Sequence, residues 1–177
     1  VDPVFCVKES EPWKLLWSGL PSIEPINGYL YEYYAIETPI DGYVVESTSC
    51  TVINGTCTIT NTEMASIELR KEWVGEVGAV TLQIGTADNG TDIVTQTTTA
   101  DVLTTGSNLV DPGTYYLSEI AADTTDLNNC TAVLMCSVNA AEATPITTGT
   151  IELNAGDEAV CTFTNTQKGT ITVDKVT

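Results

Sequence analysis

The chain has 177 residues, of which 42% are hydrophobic, so it can bury one or two cores and is not disordered throughout. Its 24 acidic residues against 6 Lys and Arg give a net charge of −18, which disfavours binding to nucleic acid or to an anionic membrane. Histidine is absent, which removes the usual general base and the commonest metal ligand.

Short runs of alternating apolar and polar residues predict strands along the whole chain. In chain order the clearest runs lie at 67–73, 79–84, 114–120, 158–165 and 170–176. Turn-forming pairs such as Asn27-Gly28, Asp41-Gly42 and Asn89-Gly90 separate them. This spacing predicts an all-β fold of tandem Ig-like β-sandwich domains. No segment shows a pattern that clearly predicts a helix.

One strand occurs twice: the residues from Cys57 to Thr62 read C-T-I-T-N-T, and those from Cys161 to Thr166 read C-T-F-T-N-T. A strand that contains a lysine follows each copy, with Lys71 after the first and Lys175 after the second. The repeat predicts three pieces: an incomplete sandwich at 1–64 that lacks its first strand, a complete sandwich at 65–168, and the opening strand of a following or neighbouring domain at 169–177.

The chain contains six cysteines, which are Cys6, Cys50, Cys57, Cys130, Cys136 and Cys161. Because no C-x-x-C pair and no histidine accompany them, they predict disulfides in an oxidising compartment rather than a zinc site. We expect Cys50 to pair with Cys57 across the turn at 54–55. We expect Cys161 to pair with Cys130, with Cys136 as the second choice. The two cysteines left over are free, paired with each other, or bonded outside this stretch.

Three N-x-[S/T] triplets, at Asn54, Asn89 and Asn129, are candidate glycosylation sites of a secreted chain. The acidic turn from Asp88 to Asp92 is a weak candidate for Ca²⁺, but it lacks the other ligands of an EF-hand loop, so an ordinary turn is favoured. No other cofactor or metal is predicted. The sequence contains neither a signal peptide nor an apolar run long enough to span a bilayer, as expected of a mature chain that has lost its signal or of an internal piece of a longer one.

The order and spacing of several motifs resemble the collagen-adhesin B-type and prealbumin-like (transthyretin-like) repeats of microbial surface proteins. In the first copy these motifs are Trp13-x-x-x-Trp-Ser-Gly-Leu-Pro21, Asn27-Gly28, Tyr33-x-x-x-Glu37, Asp41-Gly-Tyr43 and Thr60-Asn-Thr62. In the second copy they are Lys71-Glu-Trp-Val-Gly75, Gly113-Thr-Tyr-x-Leu-x-Glu119 and the repeated strand itself. The resemblance covers nearly the whole chain, and it implies secreted seven-stranded sandwiches that act as stalk modules in pili, adhesins and filaments.

Domains of that family often carry a self-formed Lys–Asn isopeptide bond that a glutamate promotes. Burial drives a lysine toward its neutral, nucleophilic form, and a buried carboxyl that takes up a proton can shuttle it to the departing amide nitrogen. In the second copy, Lys71, Glu119 and Asn165 each continue an apolar face of a predicted strand. The alternative is that Asn165 binds backbone near a sheet end, Glu119 caps a turn and Lys71 reaches solvent.

In the first copy, Glu37 and Asn61 occupy the matching places, but no opening strand supplies the lysine. Lys8 is one candidate. Lys175 is the better one, because its strand is the opening strand of a domain that this stretch does not complete. Either that strand completes the N-terminal domain of a neighbouring subunit by strand addition, or it continues into the next repeat of one long array.

We therefore expect an extracellular, cell-surface structural protein that forms a filament, pilus or stalk, with copies of itself joined head-to-tail as partners. A surface adhesin module that binds host protein or glycan is the alternative. We do not expect an enzyme, since the sequence shows no nucleophile–base pair, metal cluster or phosphate loop.

Overall fold

The structure is a computed structural model that describes residues 20–21, 26–45, 49–51 and 57–175. The predictions on Cys6, Lys8 and Asn54 lie outside the described residues, as does the motif that begins at Trp13 except for its last residues, Leu20 and Pro21. The chain divides into two compact units, one of residues 1–37 with 48–59 and the other of residues 38–47 with 60–177. Each unit is described by itself below.

The described residues are nearly all β-structure, as the alternating pattern predicted. In chain order the strands are β1 (Tyr34–Ile36), β2 (Tyr43–Val45), β3 (Ser49–Thr51), β4 (Asn61–Glu63), β5 (Ala65–Val74), β6 (Ala79–Gly85), β7 (Val94–Thr97), β8 (Asn108–Val110), β9 (Gly113–Ala122), β10 (Cys130–Val138), β11 (Thr144–Pro145), β12 (Thr150–Leu153) and β13 (Glu158–Gln167). In the described part of the chain, the one helical element is a 3₁₀ turn at Leu127–Asn129. The Asp126 carboxylate caps this turn by accepting a hydrogen bond from the Asn128 N–H. No described helix has the length and apolar character that a bilayer crossing requires.

In the first unit, β1 pairs antiparallel with β3. In the second unit, β2 pairs antiparallel with β4 after the predicted turn at Asp41-Gly42. The rest of the second unit is a β-sandwich of two sheets, with strand order β11-β10-β13-β5-β8 in one sheet and β12-β9-β6-β7 in the other. The fold class predicted from the sequence is therefore confirmed.

The centre of the larger sheet is a parallel pair made by the first and last long strands of the sandwich. In this pair β5 runs beside β13, with Leu69 next to Cys161 and Lys71 next to Phe163. All other ladders of the sandwich are antiparallel. A parallel pair needs a long crossover, and here the crossover is the whole sequence from β6 to β12.

The core lies between the two sheets and follows the period-two alternation of the long strands. The fully or nearly fully buried apolar side chains are Ala65, Ile67, Leu69, Val80, Leu82, Ile84, Val110, Tyr115, Leu117, Leu134, Ile151, Leu153, Ala159 and Phe163. The outer edge of β5 is covered by the segment before β8, since the Lys71 N–H donates to the Leu103 carbonyl and the Thr105 N–H donates to the Leu69 carbonyl. These bonds hold β5 on both sides, so its inward side chains have fixed positions.

Residues 168–175 belong to no strand in the described part of the chain. Ile171 and Val173, which alternate as in a strand, are 91% and 87% exposed. An extended segment needs a partner for its backbone groups to become a strand, and no described strand pairs with this one. That residues 169–177 form the opening strand of a following or neighbouring domain therefore stays a prediction.

Candidate functional site

The sandwich brings together Lys71, Glu119 and Asn165, the three residues that the sequence singled out. Lys71 lies in β5 and Asn165 in β13, which are neighbours in one sheet, whereas Glu119 lies in β9 of the facing sheet. Each follows buried apolar residues on the inward face of its strand. The site is therefore inside the sandwich, between its first and last long strands.

The Lys71 side chain is fully buried, and the Glu119 side chain is 6% exposed. The Lys71 Nζ lies 3.4 Å from the Glu119 Oε2. It also donates to the carbonyl oxygens of Glu72 and Phe163, each at 3.1 Å. The bond to the Phe163 carbonyl holds the amine against β13, the strand that also carries Asn165.

Burial lowers the pKa of Lys71, because an ammonium group loses its hydration in the interior. The nearby Glu119 carboxylate favours the charged amine and therefore raises the pKa of Lys71, which offsets part of the effect of burial. The net direction is toward a lower pKa, so the amine reaches its neutral, nucleophilic form more readily than a lysine in water. Burying a charged lysine away from water costs free energy, and burying the neutral amine costs less.

The Asn165 side chain is completely buried, and neither its Nδ2 nor its Oδ1 has a hydrogen-bond partner. A buried amide without partners costs about 1–3 kcal/mol for each lost group, so native structures contain few of them. Asn165 lies in β13, the strand that pairs with the strand of Lys71. A buried amine and a carboxamide on neighbouring strands, with a carboxylate on the facing sheet, are the groups that the formation of an amide bond requires. The alternative roles for these residues do not match this geometry, since Lys71 is not exposed and Asn165 makes no bond to backbone.

Trp73 completes the site, although the sequence predicts it only as part of the Lys71-Glu-Trp-Val-Gly75 motif. Its ring lies over the Lys71 Nζ, 4.3 Å from the ring centroid, at cation–π distance. Its indole Nε1 is buried without a hydrogen-bond partner. The signal in the sequence was its position two residues after Lys71, which places both side chains on the same face of a strand.

The predicted pairing of Cys161 with Cys130 is wrong, because Cys161 forms a disulfide with Cys136. These two residues face each other directly in the antiparallel β10–β13 ladder, with a Cα–Cα distance of 4.1 Å. Cys130 lies opposite Gln167, six residues further along, about 20 Å away at the rise of a strand. Cys130 is a free, half-buried thiol.

The other predicted residues are placed as follows. Cys57 is disulfide-bonded, and the side chain of its predicted partner Cys50 lies outside the described residues. Asn89 is exposed in a turn with φ +56°, and Asn129 is exposed at the end of the 3₁₀ turn. Lys175 is exposed in the segment after β13.

The acidic turn from Asp88 to Asp92, the weak candidate for Ca²⁺, uses the Asp92 carboxylate within the loop. Asp92 accepts from the N–H and the hydroxyl of Thr86, at 3.0 and 2.7 Å, which closes the loop between β6 and β7. In the described ranges no group of three or more Cys, Asp or Glu side chains is placed to hold a metal ion.

Fold and site together define an all-β sandwich protein with a lysine, a glutamate and an asparagine buried between its first and last long strands. No protein-family model matches the chain, and no curated protein sequence matches it.

Among solved structures, the chain is similar to major pilins of Streptococcus pyogenes. The T-13 major pilin matches with 15% identity and a TM-score of 0.42, over 68% of this chain and 52% of the pilin. The T3.2 major pilin matches with 11% identity and a TM-score of 0.41, over 78% of this chain and 67% of the pilin. The chain thus spans about half the length of the T-13 pilin.

Proposed function

We propose that the protein is an extracellular structural subunit of a filament, pilus or stalk, whose sandwich is locked by an isopeptide bond between Lys71 and Asn165. The observation that supports this most is the fully buried Lys71 at 3.4 Å from Glu119, with an Asn165 carboxamide without partners on the neighbouring strand. The bond would join the first long strand to the last. Pulling force would then pass through covalent bonds rather than through the hydrogen bonds of the sheet.

The reaction removes the two features of the site that cost free energy. The buried ion pair becomes a neutral amide and a neutral carboxyl, and the unpaired Nδ2 group leaves as ammonia. The disulfide between Cys136 and Cys161 supports an oxidising, extracellular location, because such bonds persist there.

Intact mass under denaturing conditions tests the bond. We expect the wild-type chain to be lighter than its sequence mass by at least one ammonia, after correction for disulfides. Lys71→Ala should regain one ammonia and melt about 10 °C lower, because a cross-link that closes a loop of this length contributes about 4–5 kcal/mol. Lys168→Ala, which removes an exposed lysine of the same unit, is the matched control. A wild-type chain at its full sequence mass would contradict the proposal.

We further propose that residues 169–177 complete the predicted sandwich at 1–64 of the next copy or repeat, with Lys175 directed to Glu37 and Asn61. The exposure of Ile171 and Val173 supports this, because alternating apolar side chains of a strand are normally buried by a partner sheet. Glu37 directly follows β1, and Asn61 begins β4.

A ladder of multimers on a denaturing, reducing gel would support links between separate subunits. That ladder should disappear in Lys175→Ala and persist in Lys168→Ala. One very long chain would support a tandem array instead. A monomer that binds glycan or host protein and forms no filament would point to an adhesin and contradict the proposal.

A further inference from the structure

Between residues 65 and 175, four buried side-chain polar atoms lack a hydrogen-bond partner, and all four lie in the site described above. They are Trp73 Nε1, Asn165 Nδ2, Asn165 Oδ1 and Glu119 Oε2, the last of which faces Lys71 as an ion pair without a hydrogen bond. Buried polar atoms without partners are rare, so four in one place indicate a group of atoms that is arranged for a later state of the site.

The chemistry of these atoms restricts how they can pair. The indole N–H and the Asn165 amide are donors, whereas the carboxylate oxygen of Glu119 and the Asn165 Oδ1 are acceptors. Glu119 already faces the Lys71 amine at 3.4 Å, and the leaving nitrogen of Asn165 needs a proton from the same carboxyl. The acceptor that remains for the indole N–H is the Asn165 Oδ1.

The sheet register brings this donor and acceptor to neighbouring positions. Trp73 and Asn165 are direct partners in the parallel β5–β13 ladder, where strands lie about 4.8 Å apart. Trp73 packs against the core from the inward face, with its Nε1 out of solvent. Its ring lies over the Lys71 amine, so the same side chain contacts the nucleophile and stands opposite Asn165 in the ladder.

We propose that the Trp73 indole N–H is the oxyanion donor for formation of the Lys71–Asn165 bond, an inference that rests on the proposed function. Lys71 passes a proton to Glu119, and its neutral Nζ attacks the Asn165 Cγ. A C–N bond forms, and the π electrons of the carbonyl move to Oδ1, where the indole N–H stabilises the negative charge.

The remaining steps balance without a further reactant. Glu119 gives its proton to Nδ2, the Cγ–Nδ2 bond breaks, and ammonia leaves as the carbonyl reforms. The Nζ, which still carries an extra proton, returns it to Glu119. The products are one amide, one ammonia and a protonated Glu119. In the product the indole N–H donates to the new amide carbonyl, so Trp73 Nε1 and Asn165 Oδ1 are both paired.

The test follows the loss of ammonia with time in the full chain made by cell-free synthesis. Trp73→Phe keeps an aromatic face over Lys71 but removes the N–H. We expect it to lose ammonia about 100-fold or more slowly than wild type, the usual effect of removing one oxyanion donor. Tyr116→Phe, which removes a polar atom from a half-buried aromatic residue elsewhere on β9, should react at the wild-type rate.

A second variant separates the missing N–H from a packing defect. Replacement of Trp73 by 3-benzothienylalanine puts sulfur in place of the N–H and keeps the size of the ring system, so it should fold and should also react slowly. If this variant and Trp73→Phe both react at the wild-type rate, the role of the indole N–H is wrong while the bond itself stands. If the wild-type chain never loses ammonia, the inference and the proposed function both fall.

Discussion

At Lys71, desolvation and the charge of Glu119 act in opposite directions, and desolvation is the larger effect. The pKa of the lysine is therefore lower in the folded chain than in the unfolded chain. Between these two pKa values the unfolded chain holds more protons, so the free energy of unfolding increases as pH rises. The window ends near pH 10, about where an unfolded lysine titrates.

This effect is measurable in a chain that cannot form the bond. Asn165→Ala should become more stable as pH rises toward about 10, because the cost of burying the charged amine disappears. The double variant Asn165→Ala/Lys71→Met lacks the amine and should not show this rise. Urea unfolding at a series of pH values measures both, and the difference between the two curves removes the titration of other groups. Parallel curves would contradict a lowered pKa at Lys71.

Glu119 supplies the proton path of the proposed reaction. Glu119→Gln preserves the size of the side chain but cannot accept and return a proton, so the chain should stay at its full sequence mass at this site. It should also be less stable by about 4–5 kcal/mol than wild type, because the cross-link that wild type gains is not formed. Glu152→Gln, on the exposed face of β12, is the matched control and should react normally. Loss of ammonia by Glu119→Gln at the wild-type rate would exclude this role.

The sequence was informative about the faces on which residues lie and less so about which residues are in contact. Alternation alone predicted that Lys71, Glu119 and Asn165 point inward, since strands have a period of two. Contacts across a sheet depend on register, which alternation does not determine. For that reason the sequence favours Cys130 over Cys136 as the partner of Cys161, and it does not predict that Trp73 is the ladder partner of Asn165.

At the scale of elements, β13 is the strand on which the proposed and observed cross-links converge. The disulfide joins it to β10 on one side, and the proposed amide joins it to β5 on the other. Lys71 and Asn165 stand near the C-terminal ends of their parallel strands, and the disulfide lies closer to the middle of β13. With the proposed amide in place, covalent bonds would join the last strand of the sandwich to both of its neighbouring strands.

The contribution of the disulfide follows from the length of the loop it closes. Cys136 and Cys161 are 25 residues apart, for which chain entropy gives a stabilisation of about 3 kcal/mol. Cys136→Ala/Cys161→Ala should lose about that amount in urea unfolding. The measurement needs non-reducing conditions, which keep intact both the Cys136–Cys161 bond of wild type and the disulfide of Cys57. Cys130→Ala, which removes the free thiol, is the control, and an equal loss in both variants would contradict the assignment.

At the scale of the whole molecule, the ends of the sandwich lie at opposite ends of its central parallel pair. The sandwich begins at the first residue of β5 and ends at the last residue of β13, so tension on the chain shears these two strands. With the proposed bond in place, the load passes along β5 to Lys71, across the amide to Asn165, and out along β13. The sequence between these two residues carries no load.

The load path predicts how far the chain extends in a single-molecule pulling experiment. Without the bond, the chain from Lys71 to Asn165 would add about 320 Å of contour length, at about 3.4 Å a residue. The Cys136–Cys161 disulfide keeps a segment of 25 residues closed, so Lys71→Ala should gain about 240 Å under non-reducing conditions. The full gain should appear when Lys71→Ala is combined with Cys136→Ala/Cys161→Ala. Wild type and Lys168→Ala should show neither step, because both retain the amide. A wild-type chain with the step of Lys71→Ala would show that the sandwich carries force through its hydrogen bonds alone.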